Sequence, residues 1–333
     1  MNAGAACFLL GKIPAGGITY MSVQEKRRIE ILLAHCSSPA EAGKIVPELL
    51  ERVRPRDCSL RGLRVLVKPN LLRAVPLACA DPLVTAAACA WLLGQGASVT
   101  VADSPGFGTA RGVAAAIGLE AALKPLGLAV RPFTAGPAVR FSSGRRVVLA
   151  KEALEADRIL SVGKFKAHSQ MLLTLSCKNL YGTVPGLRKA LYHGREGQCR
   201  REFEDMQAEI LEHLPPVSGM VDGITAMHVT GPSGGRPFPL HLIGASSSPV
   251  ALDEALCAVA GLSPGNVPLS SAFMRRHCPD CASEGAEYVF PLCAPRDFDA
   301  TGFRVPDMLI TTSFRPLRLM KSCLKRVWMD VFR

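Results

Sequence analysis

The chain has 333 residues, 48% of them hydrophobic, and 39 Lys+Arg against 28 Asp+Glu leave a formal charge of +11. A mean hydropathy of +0.21 lets such a chain bury a large core, which excludes a disordered protein. Its 12 cysteines are scattered singly, which excludes a dense secreted disulfide scaffold and points to a reducing, cytoplasmic setting.

Residues 5–10 are apolar, but no Lys or Arg precedes them and no small-residue cleavage site follows, which argues against a signal peptide. Residues 1–21 read as a poorly ordered extension. Ser22 and Glu25 then form a capping box that predicts a helix over 22–36, so Met21 reads as an alternative start. Ser38, Pro39 and Glu41 open a second helix to Val53. Residues 63–67 form a short β-branched run, and Pro69 is expected to stop it as an interior strand. The most apolar stretch, 83–93, is about half the roughly 20 residues that a bilayer requires. It predicts a buried helix with Asp81 as cap and Pro82 at its first position.

A strand over 98–102 ends in Asp103, and 109–126 is helical with a break at Gly118. Short runs at 128–131, 138–141 and 146–149 suggest a small antiparallel insertion. Alternation resumes with a helical turn from Lys151, a strand at 158–162, a helix at 200–214 and a strand at 217–221 ending in Asp222. A Gly- and Pro-rich loop at 225–237 and a strand at 240–243 follow. Ser248, Pro249 and Asp253 then open an apolar helix to Gly261. Beyond Leu262 the regularity fades into a cysteine-bearing tail and one final helix. This order predicts an α/β fold, a mostly parallel sheet with helices on both faces. The expected division is an extension at 1–21, an α/β domain at 22–275, and a tail with a basic amphipathic helix at 276–333.

Four of these strands end in polar residues: Lys68 with Asn70, Asp103, Lys164, and Asp222. The C-terminal edge of a parallel sheet is where ligands bind, so a shared cleft is expected there. The sharpest stretch is 163–182, GKFKAHSQMLLTLSCKNLYG. If 164–168 is extended, its two-residue period puts Lys164, Lys166 and His168 on one side and Phe165 and Ala167 on the other. Lys178 and Asn179 add a further ammonium and an amide. Such a cluster suits a carboxylate, a phosphate or an enolate-like oxyanion. Crowding and desolvation should lower one lysine pKa and make that group a base or nucleophile. The ordinary reading, a solvated basic strand end, is weakened by the apolar runs on either side.

The loop 103–109 joins a strand to a helix; Ser104 and Gly106 would turn backbone N–H groups toward an anion, with Thr109 capping the helix. Neither a Walker loop nor a dinucleotide fingerprint is present. The loop 230–235 reads as a mobile turn at the cleft.

The segments VLVKPNLL (65–72), ADSPGFG (102–108), the block 155–186 with its K-x-K-x-H...K-N-x-x-G pattern, MVDGITAMHVTGPSGG (220–235) and SPVALDEALCAVAGLSP (248–264) occur in this order. Together they resemble the family called domain of unknown function 362, over residues 60–275. That resemblance implies an association with iron and sulfur, because many members carry a ferredoxin-like segment for two cubane clusters. The run C-x-x-C-x-x-C-x-x-x-C-P that such a segment needs is missing here. Cys278 and Cys281, followed by Cys293, form the only close group, with His277, Cys257 or Cys323 as a conceivable fourth ligand. This spacing allows an iron-sulfur cluster, zinc or another divalent metal, and resembles one knuckle of a zinc ribbon without its partner. Free thiols are the competing reading. Cys7, Cys36, Cys58, Cys79, Cys89, Cys177 and Cys199 read as small apolar residues.

In the final helix Leu317, Met320, Leu324, Val327 and Val331 make an apolar stripe, and Arg318, Lys321 and Lys325 a basic one. Residues 315–333 hold six Arg or Lys and one Asp, which is +5 of the total charge. Packing on its own domain is the expected role, with peripheral contact to an anionic membrane as the alternative. Low aromatic content, 6%, and the lack of a reading motif argue against nucleic acid. The leading expectation is therefore an enzyme-like cleft for a small anionic ligand. Lys68, Lys164, Lys166, His168 and Lys178 would bind it, Asn70, Ser104 and Asn179 would position it, and Asp103 or Asp222 would hold a lysine or a divalent metal. Proton transfer next to a carboxylate is the chemistry these groups suit, with His168 or a lysine of lowered pKa as base and the other cations stabilising the enolate. A metal-handling or electron-transfer protein without catalysis and a membrane-surface scaffold are the rival classes.

Overall fold

The structure, a computed structural model, describes residues 27–54, 59–189, 191–192 and 200–310. The capping box at 22–25, Cys7, Cys58, Cys199, Cys323 and the expected final helix lie outside the described residues.

Twelve strands are described: β1 (Arg28–His35), β2 (Arg64–Pro69), β3 (Ser98–Asp103), β4 (Val130–Pro132), β5 (Ala135–Arg140), β6 (Arg146–Ala150), β7 (Arg158–His168), β8 (Leu172–Thr174), β9 (Val217–His228), β10 (Arg236–Phe238), β11 (Leu242–Ser246) and β12 (Glu287–Val289). The main sheet runs β12-β1-β11-β9-β7-β2-β3-β4, with β8 on β7 and β10 on β9. Strands β9, β7, β2, β3 and β4 are mutually parallel, while β11 is antiparallel to both neighbours. The α/β expectation holds, as does the small antiparallel pair, which is β5 with β6.

Helices α1 (Ala42–Val53), α2 (Pro82–Gly94), α3 (Ala110–Ala116) and α4 (Leu119–Leu123) cover one face. They pack on Val65 and Val67 of β2, Val101 of β3, Leu160 and Val162 of β7 and Met220 of β9. The other face carries α7 (Arg200–Glu212), which buries Phe203, Met206 and Ile210 against Leu66 and Ile159, and α8 (Pro249–Val259), which buries Leu252 and Leu256 against Leu33 and Phe165. Two short elements, α5 (Lys151–Leu154) and α6 (Ser176–Asn179), and a last helix, α9 (Pro268–Arg275), complete the set. Alternate residues of each central strand thus serve opposite layers, the signature of a sheet buried on both sides.

Local chemistry sets several boundaries. Asp81 accepts from Leu83 N–H at 2.8 Å at the start of α2, and Thr109 and Ser248 cap α3 and α8 in the same way. Gly118 separates α3 from α4 with φ +89, a conformation that favours glycine.

The structure departs from the sequence reading at four places. Residues 28–35 form a strand, not part of a helix: Leu32 packs with one layer and Ile31 and Leu33 with the other, which a helix could not do. Pro69 does not stop β2. Asn70 N–H donates to Val162 O at 2.8 Å, so the Pro69 nitrogen lies on the edge where pairing with β3 has already ended at Val67. Residues 130–132 join the main sheet in parallel instead of the insertion. The loop expected from 225 begins later, because β9 continues to His228, with an irregularity opposite Lys164–Lys166, and pairs with β10.

Candidate functional site

The four polar strand ends converge on one edge, as the parallel topology requires. Lys68, at the end of β2, places Nζ 2.8 Å from Asp103 Oδ1 at the end of β3 and 2.8 Å from Asn179 Oδ1. Asp103 is itself oriented by the N–H groups of Leu71, at 2.9 Å, and Ser104, at 2.7 Å. Lys164 stands opposite Asp222 in the β7–β9 ladder, with Nζ 2.7 Å from Oδ2. Asp222 also accepts from Asp81 N–H at 2.8 Å and Ile224 N–H at 3.1 Å. Both lysines are therefore buried as well-supported ion pairs.

Lys166 differs. It is 1% exposed, and its Nζ donates to Asn70 Oδ1 at 2.7 Å and to Ala78 O at 2.6 Å, neither of them a carboxylate. Its pKa is lowered to about 7, chiefly by burial; the charges of Lys178 and Lys164 add to this, while Cys79 and Asp103 oppose it. Two acceptors match the two N–H bonds of a neutral amine and leave the third position on nitrogen for a proton or a ligand. Lys178 lies half-buried on α6 without a carboxylate or other hydrogen-bond partner among the described residues. Its pKa is lowered to about 8 by burial first and by the Lys68 charge second. Burial also lowers Lys68 and raises Asp81, the latter helped by the Asp222 charge.

The alternation expected over 164–168 is present, with Phe165 turned into the opposite core layer. His168 is buried and its Nδ1 accepts from Gln170 N–H at 3.1 Å, which leaves the ring proton of the neutral form on Nε2. Asn70 and Asn179 tie the lysine ends together. The Asn179 oxygen accepts from both Lys68 and Asn70, and its amide nitrogen donates to Lys68 O, Ser161 Oγ and Val162 O.

Residues that the sequence reading did not assign to the site hold it in shape. Asp253 of α8 accepts from Ser176 N–H and Cys177 N–H at 2.9 Å and from Ser176 Oγ at 2.6 Å, which fixes α6 and with it Lys178 and Asn179. Burial pushes the Asp253 carboxyl up to about 6. Gly182 makes room: a Cβ there would lie 2.5 Å from Lys68 Nζ and 2.6 Å from Asp103 Oδ1. The K-N-x-x-G spacing was the signal for this glycine, yet only the fold shows what it avoids.

The loop 103–109 does not open as an anion nest. Its Ser104 and Phe107 amides go to Asp103 and Leu72 O, and Gly106 sits so near Leu72 that a Cβ would lie 2.9 Å from Cδ1. Ser104 instead ties down a neighbouring segment through Gly186 N–H, at 3.0 Å, and the Lys189 ammonium. The loop 230–235 packs over the end of β7, where Gly231 O accepts from Ser169 N–H at 3.0 Å. Elsewhere, a surface cavity of about 320 Å³ is lined by Arg200, Arg201 and Arg275, but Glu204 already pairs with Arg200 and Arg275.

The expected metal grip is not assembled. Cys278 and Cys281 pack with α9, whereas Cys293 packs against the layer of Ile29 and Leu33. His277 is exposed and contacts Glu284, and Cys257 faces Ser270. Among the described residues no group of three His, Cys, Asp or Glu could hold a metal ion. These residues do not fit an iron-sulfur cluster.

Fold and site together define an α/β protein with a buried lysine cluster at the C-terminal edge of parallel strands. The family model described as domain of unknown function (DUF362) matches residues 65–258, and the chain belongs to this family. A thylakoid-associated protein of Synechocystis sp. is 32% identical over 300 residues, covering 88% of this chain and 92% of that protein. Among solved structures, the lactate racemase apoprotein of Thermoanaerobacterium thermosaccharolyticum is similar with a TM-score of 0.45 and 13% identity. A Thermotoga maritima protein is similar with a TM-score of 0.42 and 10% identity. This chain is covered to 70% and 69% in these two matches and spans 57% and 61% of those proteins. Among the described residues no helix is long and apolar enough to cross a membrane.

Proposed function

We propose that the cleft binds a small carboxylate or phosphate anion and, as an enzyme, moves a proton at the carbon next to a carboxylate. The observation that carries this reading is the contrast within the cluster. Lys68 and Lys164 each have a buried carboxylate partner, while Lys166 and Lys178 have none among the described residues. Two ammonium groups desolvated without a counter-charge are costly alone and favourable around an anion. A carboxylate docked on Lys178 would raise that lysine's lowered pKa, so binding near pH 8 should take up protons.

Proton transfer would then fall to Lys166. Its nitrogen keeps one position after Asn70 and Ala78 are served, and a pKa near 7 matches a base to neutral pH. Lys178 and His168 would stabilise negative charge on the enolate oxygen. Lys68, Lys164, Asn70 and Asn179 act as the frame that holds these groups apart.

Thermal melts of the full chain with malonate and with inorganic phosphate test the reading. The expected result is a rise in melting temperature that is lost in Lys166→Gln and Lys178→Gln variants that remain folded. No response of the native protein to either anion, or an equal response in both variants, rejects it. Deuterium exchange at the α-carbon of small carboxylates, followed by NMR, separates catalysis from binding alone.

A further inference from the structure

We propose that Cys278 and Cys281 form a thiol–disulfide exchange site whose substrate is an accessible disulfide, independent of the lysine cleft. The segment Cys278-Pro279-Asp280-Cys281 follows α9 and closes a turn in which Cys281 N–H donates to Cys278 O at 3.0 Å. A hydrogen-bonded four-residue turn keeps its end Cα atoms within about 7 Å. That agrees with the roughly 4.4–6.8 Å that a disulfide spans. The side chains also lie together, because Cys278 packs against the apolar cluster that buries Cys281.

Access to the two sulfurs is unequal. Cys281 is fully buried in the cluster of Leu269, Ala272 and Phe273, whereas Cys278 is only half-buried and Pro279 beside it is exposed. Exchange through a mixed disulfide needs this asymmetry: one sulfur that an outside disulfide can reach, and a second held behind it. Tyr288 and Glu254 brace the turn, with Ala282 N–H 3.2 Å from Glu254 Oε2 and Tyr288 Oη donating to Asp280 O at 2.8 Å. Cys36, Cys79, Cys89, Cys177 and Cys257 are buried, so outside reagents meet Cys278 before them.

The exchange balances without a further reagent. Cys278 thiolate attacks one sulfur of the substrate disulfide, the S–S bond breaks, and one substrate thiolate leaves and is protonated by water. Cys281 gives up its proton and attacks the Cys278 sulfur, which releases the second substrate thiol and forms the Cys278–Cys281 bond. Two electrons and two protons pass from the dithiol to the substrate.

Incubating the full chain with oxidised glutathione, then blocking with iodoacetamide and cutting with trypsin, reads this out on the fragment 277–296. In the native chain one of its three cysteines, Cys293, should take the alkyl group, and the fragment should be two hydrogens lighter. Cys281→Ser should retain a glutathione adduct on Cys278, and Cys278→Ser should show none on Cys281; Cys281→Ala replaces the serine variant if that does not fold. Three alkyl groups on the native fragment, or adducts of equal yield on Cys278 and Cys293, would overturn the proposal.

Discussion

The flanks of the lysine cluster and its centre obey different rules. At the flanks, Lys68 with Asp103 and Lys164 with Asp222 are ion pairs whose carboxylates accept further backbone N–H bonds. At the centre, Lys166 has only an amide and a carbonyl oxygen, and Lys178 has no acceptor among the described residues. A completed pair inside a protein is close to energetically neutral but very costly to break. An uncompleted one is costly as it stands and gains from whatever anion completes it. The flanks are therefore architecture, and the centre is where the proposed anion would change the free energy most.

Breaking a flank should have the largest effect. Asp222→Ala leaves Lys164 as a lone buried charge and removes the acceptor for Asp81 N–H. A loss of about 3–5 kcal/mol is expected from urea unfolding. A loss below about 1 kcal/mol would erase the distinction between flank and centre, since exposed pairs are worth that little.

The centre should respond to pH in the opposite sense from an ordinary surface. Lys166 and Lys178 titrate near 7 and 8 in the folded chain but near about 10.4 when unfolded. Between these values the unfolded chain binds more protons, so stability should climb as pH rises from 7 to 10 and fall as pH drops through 8 and 7. Each fully linked proton contributes about 1.4 kcal/mol per pH unit. Lys166→Met should remove the slope between pH 7 and 8 and halve it between 8 and 10 in melts at fixed ionic strength; an unchanged slope would mean that Lys166 does not supply it.

Anion binding should run against that trend, weakening as pH rises through 8. Calorimetry with malonate in buffers of different ionisation enthalpy should show proton uptake near pH 8, and a slope of zero would contradict the lowered pKa of Lys178. The smallest structural change is expected from Lys178→Gln. It removes a desolvated ammonium whose pKa is lowered to about 8, so it should raise stability at pH 7 while weakening anion affinity roughly tenfold, or about 1.4 kcal/mol.

Local signals carried much of the fold. Asp81 with Pro82, Thr109 and Ser248 with Pro249 marked helix starts that the structure confirms, because a cap acts over two or three residues. The period of two over Lys164, Lys166 and His168 likewise placed them on one side of β7. The failures came where a distant partner decides. Residues 28–35 pair with 242–246, more than 200 positions away, and nothing in RIEILLAH announces that ladder. Pro69 is tolerated only because β3 stops pairing two residues earlier. Strand β12 has three residues and helix α9 eight, too short for a period to announce either.

The site divides in the same way. By itself the sequence determined that lysines, a histidine and carboxylates end several strands of a parallel α/β sheet, since strand ends and sheet polarity follow from local pattern and crossover chemistry. Only the tertiary structure decided which lysines are spoken for. Asp103 takes Lys68, Asp222 takes Lys164, Asn179 fills its hydrogen bonds on the frame, and Gly182 gives the space, leaving Lys166 and Lys178 unmatched. The reason is physical: charge and acceptor identity are written in the chain, but burial and pairing depend on distances between segments that meet only when the sheet closes.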